Sequence, residues 1–409
     1  TGYLHIGSAR TALFNYLFAK KNKGVLILRI EDTDKERSKP EFEQDIIDSL
    51  KWLGISWDEG PVRQSERTGI YKKYLEKLLK ENKAYYCFCA SEELEAERQE
   101  QASRGLAPKY SGKCSNLSSE QVKKNFENGK SSIIRFRIQP KVVKINDLVR
   151  GKVIFDAKLL GDSVIAKNLE TPIFHFSNVV DDYEMKISHV IRGEDHLPNT
   201  LKHILLQEGL GFKSPQYAHI PLILAPDRSK LSKRHRAVSV EEYKKEGYLR
   251  EAIINFLALM GWNPGTEKEI YSMKELAKDF SLEKIQKSGA VFNVQKLDYL
   301  NGYYIRNKQI DEITNLCLPY LEKAGLVSAE AKNFDYLKKV IELSRERLKK
   351  LSEISELADF FFENKLQYDK GLLIWKKMGD NDVISVLNEL INILLKIKDG
   401  DWTQKKLET

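Results

Sequence analysis

The sequence predicts an α/β fold with a parallel-sheet core, an inserted α+β segment and an all-α C-terminal region. The apolar run Val25–Ile30 follows a helical stretch and has the pattern of a buried parallel strand. Residues at about 84–160 interrupt the alternation of strands and helices. From Glu241 onward the residues favour helices almost throughout. These three observations predict the fold class.

The core begins with a helical run, Ala9–Phe18, which follows the short motif His5-Ile6-Gly7-Ser8. Together with the apolar strand, an amphipathic helix at Ile70–Glu81 completes a β-α-β-like front half. The α/β pattern resumes at about Leu160 and continues through the segment Lys230–Arg234. Two segments of the chain, one before and one after the insertion, are therefore expected to form the α/β core.

The insertion combines a polar helix at Ser91–Arg104 with alternating strands at Ile133–Ile138 and Val153–Ala157. We expect it to fold separately from the core. Helical periodicity is clear again at Ile310–Lys350 and Val383–Lys398. The second half of the chain is therefore predicted to be helical.

Composition excludes several classes of protein. The 409 residues are enough for two to four domains, and the 31% charged and 42% hydrophobic content is typical of a globular enzyme. No apolar run reaches the length of a membrane span, so no membrane association is expected. Four cysteines are too few for a secreted disulfide scaffold, which favours the cytoplasm.

The net charge of +8 lies entirely in residues 1–305, which hold 49 basic and 41 acidic groups. From Arg306 onward there are 18 of each sign. This excess suits an RNA partner, although a lysine-rich protein without a polyanion partner would also have it.

Two short motifs are suited to phosphate. His5-Ile6-Gly7-Ser8 opens a helix, and a helix N-terminus offers N–H groups and a positive dipole end to an anion. Gly7 allows a ligand to approach the backbone closely. The motif Lys230-Leu231-Ser232-Lys233-Arg234 places two ammonium groups on a loop, where they can neutralise a pyrophosphate leaving group.

In this order, the two motifs resemble the paired signatures of class I aminoacyl-tRNA synthetases. The motifs between and after them narrow the resemblance: Leu28–Asp34, Arg63–Arg67, Val179–Asp182, His189–His196, Gly247–Leu249 and Leu259–Trp262. The series resembles bacterial glutamyl-tRNA synthetases from Thr1 to about Arg306. Beyond Arg306 the likeness is one of helical character only. Thr1-Gly2 and Asp401-Trp402-Thr403 resemble internal parts of the family, so the chain is expected to be truncated at both ends.

The resemblance implies a nucleotide-binding core of the HUP-like Rossmann type, divided by an acceptor-end domain. The implied domains are 1–83, the first half of the core; 84–160, the inserted acceptor-end-binding domain with a zinc site; 161–240, the second half of the core with the lysine loop; 241–305, a helical stem-contact region; and 306–409, an α-helical anticodon-binding region, incomplete at its end.

The resemblance also implies a glutamate–tRNA ligase that forms glutamyl-adenylate from L-glutamate and ATP, with Mg²⁺, and transfers glutamate to the 3′ end of tRNA-Glu. Charging of tRNA-Gln stays open, and a monomer is expected. A truncated paralogue that glutamylates a modified base is one alternative, although the residues after Arg306 count against it. A non-catalytic tRNA-binding relative is another, which the intact His5, Glu31, Arg192 and Lys233 disfavour.

For glutamate, the resemblance implies that Arg192 meets the side-chain carboxylate and Glu31 the α-amino group, with Asn178 and Phe174 nearby. The planar guanidinium suits a carboxylate. A salt bridge from Arg192 to Glu194 or Asp195 is the structural alternative. Asp32 and Asp34, next to Glu31, are candidates for helix caps or ion pairs.

For ATP, the resemblance implies contacts from His5, Gly7, Asp195, Lys230 and Lys233. His5, Lys230 and Lys233 are expected to act in catalysis by holding phosphate oxygens and the leaving pyrophosphate. A surface pair between Asp195 and the adjacent His196 is the alternative for these two residues.

Cys87-Phe88-Cys89 and Cys114 supply three thiols, and a tetrahedral zinc needs a fourth ligand. Many bacterial relatives have a His where this chain has Asn116. Tyr110 is a candidate, because some proteins similar to the family have a Cys-x-Cys…Tyr-x-x-x-Cys pattern. Three reduced thiols without metal are the alternative. Cys317 is expected to be a core thiol.

Overall fold

The computed structural model describes residues 2–34, 36–231, 239–328 and 333–363, and beyond these 366, 368–375, 378–398, 402 and 407. Lys233 therefore lies outside the described residues. The first segment contains α1 (Ile6–Lys21), β1 (Ile27–Ile30), α2 (Pro40–Trp52), β2 (Glu59–Arg63) and α3 (Thr68–Lys80).

Strand β1 pairs with β2 in parallel, which confirms the parallel strand expected at Val25–Ile30. The expected burial is wrong, since all four residues of β1 are only partly buried. The reason is that one edge of the strand borders a cavity instead of another strand. Where β2 begins, Gly60 has a φ of 98°, and a Cβ there would collide with the carbonyl oxygen of Leu28. Only glycine allows β1 and β2 to approach so closely.

The segment after α3 contains β3 (Ala84–Cys87), α4 (Ser91–Ser103), α5 (Ser119–Glu127), β4 (Ile133–Phe136), β5 (Val142–Asp147), β6 (Gly151–Asp156), β7 (Ser163–Asn168) and β8 (Thr171–Pro172). The predicted polar helix and the two predicted strands are confirmed as α4, β4 and β6. An antiparallel sheet has the order β3-β4-β7-β8, while β5 and β6 form a separate hairpin. This sheet extends past residue 160, and the domain boundaries stay predictions.

The α/β pattern then resumes with α6 (Phe174–Glu184), β9 (His189–Gly193), α7 (Leu197–Leu210), β10 (Gln216–Ile220) and β11 (Ile223–Leu224). Strands β9 and β10 are parallel, with Arg192 opposite His219. Among the described residues, β1–β2 and β9–β10 form two separate parallel sheets with the cavity between them. Helix α1 connects the two sides, since Asn15 Nδ2 donates to the Ile191 carbonyl at 3.0 Å.

The rest of the described chain is helical apart from one short strand. It contains α8 (Val240–Lys245), α9 (Arg250–Leu259), α10 (Met273–Asp279), β12 (Ala290–Val291), α11 (Val294–Asn307), α12 (Ile310–Lys323), α13 (Phe334–Ser344), α14 (Ile354–Leu357) and α15 (Asp380–Leu394). The predicted helical region is confirmed. Cys317 is fully buried in the apolar core formed by α12 and α13, as expected. No described helix has the length and apolarity required to cross a membrane.

Helix α1 is the centre of the largest core. Its buried face, which includes Leu13, Phe14 and Leu17, packs with residues of α9 and α10 such as Ile253 and Leu276. This packing fixes the first turn of α1, where the motif at His5 lies, against the rest of the core.

Candidate active site

A cavity of about 1370 Å³ lies between β1 and β9. Its walls include eight of the nine residues predicted to contact glutamate or ATP: His5, Gly7, Glu31, Phe174, Asn178, Arg192, Asp195 and Lys230. The ninth, Lys233, lies outside the described residues. Several of the eight follow or end a parallel strand, and ligands of α/β sheets bind at that edge.

His5 is the N-cap of α1. Its Nδ1 accepts a hydrogen bond from the Gly7 backbone N–H at 3.0 Å. A neutral imidazole that accepts at Nδ1 carries its proton on Nε2, which can therefore donate to a phosphate oxygen. A Cβ at Gly7 would lie 3.2 Å from His5 Nδ1, so glycine keeps the ring close to the helix end.

Three neutral groups hold the guanidinium of Arg192. Its Nε donates to His219 Nε2 at 3.2 Å and its Nη2 to Thr200 Oγ1 at 2.7 Å. Its Nη1 lies 3.4 Å from His203 Nδ1. Among the described residues, no carboxylate lies within ion-pair distance of Arg192. Burial lowers the pKa of Arg192, and nearby Tyr217 and the acidic residues around the site oppose that effect.

The proposed structural alternative for Arg192 is wrong. Glu194 pairs with Arg150 instead, and Asp195 pairs with Lys230. Arg150 also donates to the carbonyls of His219, at 3.3 Å, and Lys287, at 2.6 Å. A partly buried arginine without an acidic partner, at a cavity wall, favours an anionic ligand.

A second charged group lies across the cavity. Arg29 Nη1 donates to Asp182 at 2.9 Å, and its Nη2 lies 3.5 Å from Glu31. Glu31 faces the cavity, and desolvation raises its pKa. The charge of Arg29 opposes this rise, and the charge of Asp182 adds to it. Desolvation also raises the pKa of Asp182, against the effect of Arg29. The side-chain amide of Asn178 also counters the rise in the pKa of Glu31. Two carboxylates that share one arginine give this wall an affinity for a further cation.

The sequence analysis quoted Asp182 within the motif Val179–Asp182 but gave it no role at the site, although it is four residues after Asn178. That spacing places both on one face of α6, so helical periodicity could have indicated it. Asp32, by contrast, accepts from the Ser65 backbone N–H at 2.8 Å and also from its hydroxyl. These contacts tie Asp32 to Ser65, after the end of β2, and they are neither of the two forms weighed for it, a helix N-cap or an ion pair.

An aromatic wall surrounds Phe174. Its ring centroid lies 5.3 Å from that of His175, 6.4 Å from His196 and 6.3 Å from His203. His175 Nδ1 lies 3.1 Å from His203 Nε2. Burial, followed by the charges of Lys202 and Arg192, lowers the pKa of His175 to about 4. Burial also holds the pKa of His203 well below its usual value, so both rings are neutral at pH 7.

At the rim, Lys230 Nζ lies 2.8 Å from Asp195 Oδ2. Both side chains are exposed, at 64% and 40%. The ring of His196 meets Asn199 instead of Asp195. Desolvation raises the pKa of Asp195, but the hydrogen bond and charge of Lys230 outweigh it, and the pKa lies below its usual value.

The three predicted thiols and Tyr110 form one cluster, away from the cavity. The sulfurs of Cys87, Cys89 and Cys114 lie within 4.8 Å of one another. The Tyr110 hydroxyl lies 3.4 Å from Cys87 Sγ and 3.5 Å from Cys89 Sγ, and it accepts from the Cys114 N–H at 2.9 Å. The Cys89 and Cys114 sulfurs are 3.5 Å apart.

The two sulfur–oxygen distances and the distance between the sulfurs of Cys89 and Cys114 are close to the edges of a zinc coordination tetrahedron. Bonds of about 2.3 Å to sulfur and about 2.0 Å to oxygen give edges of roughly 3.8 Å between sulfurs and 3.5 Å between sulfur and oxygen. Burial raises the pKa of Cys89 to about 12. Burial likewise raises the pKa of Tyr110, and its hydrogen bonds to Cys87 and Cys89 add to the effect. A divalent cation at the centre would offset both effects by favouring the deprotonated ligands.

Comparison with known families gives two matches that together cover nearly the whole chain. The catalytic domain of class I tRNA synthetases (E and Q) matches residues 1–299. An anticodon binding domain matches residues 312–409.

Individual proteins match over similar lengths. The chain is 48% identical to a glutamate–tRNA ligase of Carboxydothermus hydrogenoformans, over 99% of this chain and 86% of that protein. It is 48% identical to glutamate–tRNA ligase 1 of Caldicellulosiruptor saccharolyticus, over 97% and 86%. The fold is similar to a crystal structure of a glutamate tRNA ligase from Elizabethkingia meningosepticum in complex with its amino acid, with a TM-score of 0.85, 36% identity, and coverage of 97% and 85%.

Proposed function

The chain belongs to the class I tRNA synthetases for glutamate and glutamine, and from this membership we propose that the cavity between β1 and β9 is where glutamate and ATP react. Its activity is that of a glutamate–tRNA ligase, which uses ATP and Mg²⁺ to activate glutamate and then charges tRNA.

The surroundings of Arg192 are the main support for its proposed contact with the side-chain carboxylate of glutamate. The guanidinium has five N–H donors, and three are directed at His219, Thr200 and His203. One N–H on each terminal nitrogen is left for a ligand, and the pair matches the two oxygens of a carboxylate. The amide of glutamine offers only one acceptor, and its NH₂ would face a donor. Arg192 therefore favours glutamate over glutamine.

The opposite wall suits the α-ammonium group of the amino acid. When both are ionised, Glu31 and Asp182 carry one more negative charge than Arg29 neutralises. An ammonium group next to Glu31 restores the balance of charge and favours the ionised carboxylate. Asn178 orients Glu31 through its amide, because Gln64 holds the other end of that amide at 2.9 Å. Phe174 contributes an apolar surface beside the substrate.

The adenylation step then needs little covalent help from the protein. An oxygen of the α-carboxylate of glutamate attacks the α-phosphorus of ATP. The bond from that phosphorus to the oxygen bridging to the β-phosphate breaks, and pyrophosphate leaves. His5 Nε2–H binds phosphate oxygens together with N–H groups of the first turn of α1 other than that of Gly7, which donates to His5 Nδ1. Lys230 and Lys233 stabilise the charge that grows on the pyrophosphate. Mg²⁺ bound to ATP neutralises part of that charge.

Zinc is proposed for the cluster of Cys87, Cys89, Tyr110 and Cys114, in a structural role within the acceptor-end domain. Four protein ligands leave no position open for a substrate. The proposed state of the enzyme is a monomer in the cytoplasm, where it would meet its tRNA.

A charging assay tests this function. Unmodified transcripts of tRNA-Glu and tRNA-Gln are incubated with the chain, ATP and labelled glutamate or glutamine. We expect glutamate to be attached to tRNA-Glu, with label lost when periodate has oxidised the 3′ end. Transfer of glutamine, or label on the oxidised transcript, would contradict the proposal. A parallel reaction uses native tRNA, and label that appears only there, on tRNA with modified bases, would favour the paralogue that modifies a base.

A further inference from the structure

Asp147 is a fully buried acid at the end of β5, and it contacts a residue 72 positions away. Its Oδ1 accepts backbone N–H groups from Val149 at 3.0 Å, Arg150 at 2.8 Å and His219 at 3.2 Å. Its Oδ2 lies 2.6 Å from His219 Nδ1. Both side chains are inaccessible to solvent. The acid therefore holds the imidazole of His219 from one side.

These contacts determine where His219 carries its proton. Burial raises the pKa of Asp147, but the hydrogen bonds from His219 and from the backbone of Arg150, His219 and Val149 outweigh it, and the pKa lies below its usual value. An ionised carboxylate only accepts, so the proton of the imidazole lies on Nδ1. Nε2 then presents a lone pair to Arg192 Nε at 3.2 Å and to Thr200 Oγ1 at 2.9 Å.

We propose that Asp147 is a positioning residue for recognition of the amino acid, because it fixes the tautomer of His219 that accepts from Arg192. This proposal rests on the proposed role of Arg192 as the contact for the glutamate carboxylate. Holding Nε from behind leaves the terminal nitrogens of Arg192 to face the cavity. Asp147 touches neither substrate, and it acts through the ring of His219.

Asparagine at this position would reverse the tautomer without changing the shape. The three backbone N–H groups at Oδ1 require an acceptor, so the amide oxygen of Asp147→Asn occupies that place. The NH₂ group then faces His219 Nδ1 and donates to it. The ring proton moves to Nε2, where it meets the Nε–H of Arg192. Two donors would then oppose each other in a buried place.

Steady-state charging and imidazole ¹⁵N NMR test the proposal on the full chain. Asp147→Asn should raise the KM for glutamate by about 10-fold to 100-fold, and the KM for ATP by less than about twofold. In a His219→Gln background the same change should add nothing further, because the ring is gone. A uniform loss for both substrates, with a lower Tm, would identify Asp147 as only structural and overturn the proposal.

The deciding NMR signal comes from the unmutated protein, and the variants serve to assign it. Histidine labelled with ¹⁵N should show His219 with a protonated Nδ1 and an unprotonated Nε2 in the unmutated protein. Asp147→Asn should exchange the two signals, and His219→Gln identifies them. A proton on Nε2 in the unmutated protein overturns the proposal.

Arg192→Ala separates this inference from the function beneath it. If that variant keeps its KM for glutamate, the proposed role of Arg192 fails. If it loses glutamate binding while Asp147→Asn does not, only the role of Asp147 fails.

Discussion

The ammonium nitrogen of Lys230 lies 2.8 Å from Asp195 Oδ2, at the rim of the cavity. Because both groups are exposed, the pair contributes at most about 1 kcal/mol to stability. Its more important effect is on geometry, since Asp195 holds the first lysine of the loop beside the proposed phosphate site.

We therefore expect Asp195→Asn to raise the KM for ATP about threefold to tenfold, with Tm nearly unchanged. Lys230→Ala and the double variant complete the cycle. If Asp195 acts through Lys230, the double variant is no worse than Lys230→Ala. If the two effects on the KM for ATP add in the double variant, Asp195 contacts ATP independently of Lys230.

Replacement of Arg192 by alanine should abolish most glutamate recognition. Loss of the two charge-assisted hydrogen bonds costs roughly 3–4 kcal/mol, on the order of 10² to 10³ in kcat/KM for glutamate. The KM for ATP should change little. Arg250→Ala, at an exposed arginine of α9, is the matched control and should behave as the parent chain. An unchanged kcat/KM for glutamate in Arg192→Ala would falsify the assignment.

Lys233→Ala should lower kcat for adenylation by about 10²-fold, because the lysine is expected to meet charge that develops only as pyrophosphate leaves. The affinity for glutamate should hold. Single-turnover formation of glutamyl-adenylate measures this step directly. A rise in the KM for ATP at constant kcat would make Lys233 a binding residue instead.

Protein purified without added metal should contain about one zinc per chain. Tyr110→Phe should weaken zinc binding, as measured by competition with a chelator, because it removes the oxygen at the fourth corner of the cluster. Tyr86→Phe, one residue before Cys87, is the control and should retain the metal. Zinc held equally tightly by both variants would assign the fourth ligand elsewhere, to Asn116 or to water.

Stability should fall as the pH decreases from about 6.5 towards 4. The pKa of His175 in the folded protein is about 4, below its ordinary value of 6.5, so within this window the unfolded chain binds more protons. Protonation of the buried ring would also place a cation near Arg192. Urea midpoints between pH 7.5 and 4.5 measure this effect. His175→Asn should show a smaller decrease over the window, and an equal decrease would assign the pH dependence to other groups.

The sequence was most informative about functional residues that lie close together along the chain. The motif around Arg192 and the spacing of the thiols with Tyr110 predicted which side chains come together. The partners of Arg192 were not predictable in the same way. His219 lies opposite Arg192 through the register of two parallel strands, and nothing local to either strand encodes that register. Asp147, which contacts His219, lies in a hairpin 72 residues before it in the sequence.

The partial exposure of β1 has a similar cause. An apolar run predicts burial on both faces of a parallel strand, but it contains no information about which neighbour lies at each edge. The predicted bounds of helices were closer to the observed ones, because they depend on residues close in sequence. The helix predicted at Ser91–Arg104, for example, is observed as α4 (Ser91–Ser103).

Arg150 joins three segments that lie 44, 69 and 137 residues from it: Glu194, His219 and Lys287. Opening the turn between β5 and β6 would break all of these bonds together. The amides around them should then exchange with solvent as one cooperative unit, with a common opening free energy. The local stability of the proposed amino-acid site therefore depends on a hairpin that does not line the cavity.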